Sequence, residues 1–166
     1  MTTRSHATEE TTRWLSDREQ CLWRNWLTAG HSIDAGLARQ MQQDNAISMA
    51  DYMVLVNLSE APDHRMRVAA LADRLQWDRS RLSHQITRMR NRGLLDRETC
   101  SSDGRGAFIV LTEDGFAVIR DAAPGHVAAV RAMLFDILSD EQQEQLADIL
   151  HTVNAQFEAP TPDPQD

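Results

Sequence analysis

The sequence predicts a mainly α-helical fold that carries one small β-ribbon. Three observations predict it. First, two short helical patterns, VAALADRL and DRSRLSHQITRMRN, are separated by the three-residue turn Gln76-Trp77-Asp78, and two strand-like runs joined by Asp103-Gly104-Arg105-Gly106 follow them. Second, the basic charge is gathered on this stretch. Residues Arg65 to Arg105 hold 10 of the 17 basic residues and 5 of the 25 acidic ones, a formal +5, while the rest of the chain carries −13 and the whole −8. Third, apolar residues at helical spacing recur on both sides of this stretch, from Leu15 to Met41 and from Phe116 to Phe157. That order of elements is a winged helix-turn-helix set between long terminal helices.

The elements follow in order. Residues 1-13 are polar, rich in Thr and Glu, and are expected to be flexible. Ser16 and Glu19 have the spacing of a capping box. Leu15, Leu22, Trp26, Ile33, Leu37 and Met41 lie on one helical face, which Trp14, Trp23 and Leu27 broaden, so a first helix runs to about Gln43. Gly30 and Gly36 weaken it intrinsically. Ser48 and Asp51 suggest a second box, opening a helix that buries Tyr52, Leu55, Val56 and Leu58 and ends at Pro62-Asp63. Arg65 to Val68 can form a short strand. Val68 to Leu75 is the third helix. Asp78 caps the fourth, which stops at Gly93 as its C′ glycine. Leu94 to Thr99 and Ala107 to Leu111 read as strands, and D-G at the turn between them is a hairpin signal. Thr112 caps a fifth helix marked by Phe116, Ile119, Ala123, Val127, Val130, Leu134 and Ile137; Pro124-Gly125 should kink or break it. Ser139 and Gln142 open a sixth, with Leu146, Ile149, Leu150, Val153 and Phe157 on its face. The tail, residues 158-166, is Pro-rich and acidic and reads as disordered.

On the fourth helix, with residues about 100° apart, Leu82, Ile86 and Met89 face a core. Ser80, Arg81, His84, Thr87, Arg88 and Asn91 gather opposite, and none is apolar. Such a face suits a DNA major groove. Arg takes guanine O6 and N7 together, Asn reads adenine, and Ser and Thr fit either base. The first turn, Arg79 to Ser83, should go deepest and brings the positive end of the helix dipole to phosphate. At the ribbon tip, Arg105 is placed to enter an AT-rich minor groove, with Asp103 near enough to orient it. Every basic residue is Arg, whose planar fork suits phosphates and guanine edges.

The run from Val68 to Gly115 resembles the MarR family of winged-helix transcriptional regulators. VAALADRL matches the first helix of the motif, DRSRLSHQITRMRNRGLL the recognition helix and its exit, and SDGRGAFIVLTEDG the wing and following cap. D-x-R is Asp103 and Arg105; L-T-x-x-G is Leu111, Thr112 and Gly115. The likeness extends from about Ser16 to Phe157. It implies a homodimer held by the terminal helices (14-45 and 113-157) around a DNA-binding domain at 46-112. It also implies a pseudo-palindromic operator on double-stranded DNA, and repression released by a small ligand or an oxidant. The apolar faces of the terminal helices agree with an intertwined dimer, which sets two recognition helices about one DNA turn apart on an inverted repeat.

The family's ligand position implies Trp23, Trp26, Leu27 and Ser32 of the first helix, with Tyr52; aromatics at helical spacing such as Trp23, Trp26 and Tyr52 are more usually plain core and dimer packing. Cys21 lies where the hydroperoxide-sensing branch of the family keeps a reactive cysteine. It reads either as a redox sensor, with Arg18 and Arg24 favouring the thiolate, or as a small buried hydrophobe. That branch supports its thiolate with several tyrosines, whereas Tyr52 is the one Tyr of this chain. Cys100 reads as incidental.

Other classes are disfavoured. The six histidines show no H-x-x-x-H pairing and the two cysteines no C-x-x-C, so neither a metal nor another cofactor is called for. No P-loop, Lys or G-x-S-x-G is present, which argues against an enzyme. No run approaches the ~18 apolar residues of a membrane span. With no secretion signal and two distant cysteines, a cytoplasmic, nucleoid-associated protein is expected. The competing class is a winged-helix protein-interaction module without DNA, for which ten arginines in one segment have no use.

Overall fold

A computed structural model describes residues 12–45, 47–99 and 107–157. The elements, in chain order, are α1 (Asp17–Asn45), α2 (Met49–Ser59), a 3-10 turn (Pro62–His64), β1 (Arg65–Arg67), α3 (Val68–Leu75), α4 (Arg79–Asn91), β2 (Leu95–Thr99), β3 (Ala107–Leu111), α5 (Glu113–Met133), a second 3-10 turn (Phe135–Ile137) and α6 (Asp140–Asn154). The chain forms two compact units, the first ending at Ala35 and the second beginning at Gly36. No helix among the described residues is long and apolar enough to cross a membrane.

In the first unit, the expected box closes the start of α1: Ser16 N donates to Glu19 Oε2 at 2.8 Å and Glu19 N to Ser16 Oγ at 3.3 Å. Leu22, Trp23 and Trp26 are exposed on this helix.

The second unit holds the core. Met41, Leu55, Leu58, Leu71, Leu82, Met89 and Ile109 are its large, fully buried apolar side chains. The sheet is antiparallel in the order β1-β3-β2. Ile109 of β3 lies opposite Met66 on one side and Arg97 on the other. Two caps predicted from sequence form as boxes: Ser48 with Asp51 at α2, and Ser139 with Gln142 at α6. Helix α4 ends in a Schellman arrangement. Gly93 has φ 76°, its N–H donates to Arg90 O at 2.9 Å, and Leu94 N donates to Met89 O at 3.1 Å. Only a residue without Cβ takes that φ at no steric cost.

Gly115 explains L-T-x-x-G. A Cβ there would sit 2.1 Å from the carbonyl oxygen of Leu94. Thr112 spans the same junction, donating from Oγ1 to Gly93 O at 2.7 Å and accepting from Gly115 N at 3.0 Å. Thr112 N also donates to Leu94 O at 3.3 Å, so the exit of α4 and the start of α5 are joined through both the side chain and the backbone of Thr112.

The structure corrects the fifth helix. It does not break at Pro124 but runs unbroken to Met133. One missing N–H removes one intrahelical bond, and the packing of Ile119 and Ala122 holds the neighbouring turns. Gly125 lets α1 come close, since a Cβ there would lie 3.0 Å from Gln40 Nε2. Leu134 and Ile137 do not continue α5. Leu134 turns away at φ −133° and ψ −64°, and Gln143 Nε2 reaches the carbonyls of Phe135 and Leu138, both at 3.2 Å. Phe157 lies beyond the end of α6 rather than on it, and Leu94 precedes β2. The tail at 158-166 and residues 1–11 of the N-terminal segment lie outside the described residues.

Candidate nucleic-acid interface

Helices α3 and α4 make the helix-turn-helix. The turn is set by Gln76, which adopts a left-handed conformation (φ 52°, ψ 38°), while Trp77 N donates back to Ala72 O at 3.0 Å. Asp78 then caps α4, accepting from Arg81 N at 2.8 Å and Ser80 Oγ at 2.9 Å. These bonds, the Arg81 amide first, lower the Asp78 pKa.

Leu82, Ile86 and Met89 are buried, and the opposite face is open. Arg79, Ser80, Arg81, Ser83, His84, Thr87, Arg88 and Asn91 are all exposed. Helix α4 thus brings eight of the ten residues named as DNA contacts onto one element. The other two, Asp103 and Arg105, lie outside the described residues with the rest of the ribbon tip and Cys100. The hydroxyls are less versatile than their sequence suggests. Ser80 donates to Asp78, and Thr87 Oγ1 donates to Ser83 O at 2.9 Å, which leaves both oxygens as acceptors.

Three supports of this face escaped the sequence reading. The Arg81 guanidinium lies over the Trp77 ring, 4.2 Å from its centroid. Gln85, on the inner side of α4, is only 2% exposed and donates from Nε2 to Asp51 Oδ1 at 2.6 Å, while its own Oε1 accepts from Arg88 Nη2. Asp51, 4% exposed, also accepts from Arg92 Nη1 at 2.8 Å and Ser48 N at 3.0 Å. Burial acts to raise the Asp51 pKa, but the bonds from Ser48 and Arg92 outweigh it and leave it lowered. A legible signal existed for Gln85: one polar residue interrupts the apolar stripe Leu82, Ile86, Met89.

Several arginines of the basic stretch have structural partners. Arg65 pairs with Glu98 and Asp63 at 3.4 and 3.5 Å, and Arg74 with Glu60 at 3.5 Å. Arg65 and Arg67 both lie against the Phe108 ring, at 5.2 and 5.3 Å.

Of the residues named for a ligand, Trp23, Trp26, Leu27 and Ser32 are exposed in the first unit, and Tyr52 is buried in the second. Tyr52 packs on His126, ring centroids 4.3 Å apart, and its pKa is raised by burial and by the charge of Glu60. Cys21 is exposed rather than buried, and Asn25 Nδ2 lies 3.8 Å from its Sγ. Among the described residues no three His, Cys, Asp or Glu side chains gather as a metal site.

A helix-turn-helix with an arginine-bearing outer face, backed by an antiparallel ribbon, defines a winged-helix protein. Comparison with known proteins narrows the class. A family model described as MarR family matches residues 47–106. The MarR family transcriptional regulator Sco3205 of Streptomyces coelicolor, solved in complex with DNA, is 40% identical; the match covers 92% of this chain and 95% of that one, with a TM-score of 0.85. AbsC, a MarR family transcriptional regulator of the same organism, is 44% identical over 88% of this chain and 98% of that one, with a TM-score of 0.83. The HTH-type transcriptional repressor YetL of Bacillus subtilis (strain 168) is 26% identical over 104 residues, which span 63% of this chain and 62% of that protein's length. The chain belongs to the MarR family of transcriptional regulators, whose members are not enzymes.

Proposed function

We propose that this regulator is a homodimeric repressor that binds an inverted-repeat operator in double-stranded DNA. The observation that carries this reading is the outer face of α4, where exposed Ser80, Arg81, His84, Thr87, Arg88 and Asn91 oppose a buried apolar stripe and Arg79 and Ser83 are exposed beside it. The DNA complex of Sco3205 supports it. Residues 46-112 form the DNA-binding domain in this reading, with Arg105 and Asp103 at its wing, and 14-45 and 113-157 the dimerisation helices. An operator-binding protein works beside the nucleoid, in the cytoplasm.

The test is a mobility-shift and footprinting experiment on DNA flanking the protein's own gene. A protected inverted repeat is expected, with affinity falling steeply as salt rises. Equal affinity for unrelated duplex at physiological salt would refute sequence-specific binding, and loss of all salt-dependent binding would favour the protein-interaction module.

Release by a small, aromatic effector belongs to the same proposal; a ligand screen read by loss of the shifted complex tests it. A second reading, redox control, is favoured by the exposure of Cys21. Equal peroxide responses from Cys21→Ser and wild type would remove that thiol from the mechanism.

A further inference from the structure

The side chains behind α4 form a directional polar relay. An ionised carboxylate only accepts hydrogen bonds, and a guanidinium only donates them. Gln85 lies between one of each. Asp51 Oδ1 takes the Gln85 amide N–H at 2.6 Å, so the Gln85 carbonyl must point the other way, toward Arg88. Asp51 is itself held. Its Oδ2 accepts from Arg92 Nη1 at 2.8 Å and from the backbone N–H of Ser48 at 3.0 Å. Both Asp51 and Gln85 are buried, so water does not compete for the bond between them.

We propose that Asp51, a residue of α2 remote from the groove face, is a positioning residue for Arg88. Through the fixed sense of the Gln85 amide it holds the Arg88 guanidinium in one pose and so sets base preference where Arg88 meets the operator. This rests on the reading of α4 as the groove helix. The physical reason is preorganisation. A long Arg side chain loses rotamer freedom when it docks, and a side chain already held loses less. The relay also makes the sense of the amide depend on charge. Asn at position 51 both donates and accepts, so Gln85 can turn over and present its NH2 to Arg88, a donor facing a donor.

The test selects binding sites from randomised duplexes with wild type, Arg88→Ala, Gln85→Met, Asp51→Asn and the double variant Arg88→Ala/Gln85→Met. Gln85→Met keeps length and burial while removing the relay, and leaves the Asp51 cap and the Arg92 ion pair in place. Gln85→Met and Asp51→Asn are expected to relax preference at the same base position as Arg88→Ala, on the order of tenfold. In the Arg88→Ala background, Gln85→Met should relax it no further. Uniform weakening at every position, or additive effects in the double variant, would overturn the relay.

A readout without DNA separates this inference from the reading beneath it. In nitrogen-15 spectra of the arginine side chains, the Arg88 guanidinium should be ordered in wild type and averaged in Gln85→Met. Identical Arg88 signals sink the relay whatever the protein does with DNA. A wild type that selects no sequence, yet shows the ordered signal, sinks the operator reading alone.

Discussion

Trp77 shows how one residue prepares another. It lies in the turn between α3 and α4, and the Arg81 guanidinium lies 4.2 Å from its ring centroid. A cation over an aromatic face is worth about 0.5–1 kcal/mol at an exposed site. Trp77→Ala should therefore weaken operator binding by roughly two- to fivefold while the fold survives, as read by a shift assay beside a thermal melt. His126 is a second case. Burial lowers its pKa from 6.5, and its Nδ1 is buried without a hydrogen-bond partner. The unfolded chain takes up this proton at higher pH than the folded chain. The neutral ring thus contributes in full above pH 6.5, and the contribution is lost as the pH falls through the lowered folded value. Wild type should lose melting temperature between about pH 7 and pH 5, and His126→Gln should lose less over the same interval. The sequence showed Arg81 as a candidate contact because helical angle alone places it outward. The Trp77 ring beneath it lies only four residues back, but which way that ring turns is set by the conformation of the Gln76-Trp77 turn, and the missing partner of His126 is a fact of packing between elements.

At the scale of elements, local chemistry was legible where one turn of chain decides the outcome. Ser16, Ser48, Asp78, Thr112 and Ser139 cap helices because each offers an oxygen to an N–H two or three residues on. Gly93 ends α4 because φ 76° favours a residue without Cβ. Helix α5 is where local reasoning overreached: of the expected kink or break at Pro124, the break does not occur. Pro124 lies inside an unbroken helix because the burial of Ile119 and Ala122 before it and the His126–Tyr52 ring contact after it outweigh one lost hydrogen bond. That loss is recoverable, so Pro124→Ala should raise unfolding free energy by about 1–3 kcal/mol in urea titrations. No change would mean that the helix gains no bond there. The relay from Asp51 to Arg88 was equally out of reach: Asp51 and Gln85 are 34 positions apart, and only the crossing of α2 on α4 joins them.

At the scale of the molecule, the apolar surface is larger than one chain uses. Helix α6 buries none of its residues, Phe157 is 81% exposed, and Ile137, Ile149 and Val153 are also exposed. In the first unit Leu22, Trp23 and Trp26 are exposed in turn. Burial of these faces against a second copy accounts for them within the proposed dimer. Ile149→Asp with Val153→Asp should shift the protein to a monomer in sedimentation experiments. Operator affinity should then fall roughly 100-fold, because one half-site binds without the effective concentration of the other. A dimer of unchanged stability would move the interface elsewhere.

By itself the sequence determined the order of elements, their caps and the polar outer face of α4. Hydrophobic period and capping chemistry act over a few residues, and those residues are adjacent in the chain. The tertiary structure decided the rest: that α5 survives Pro124, that Gly115 is required by the carbonyl of Leu94, and that Asp51 reaches Arg88 through Gln85. Each depends on distances between segments far apart in sequence, which packing alone brings within a few ångströms.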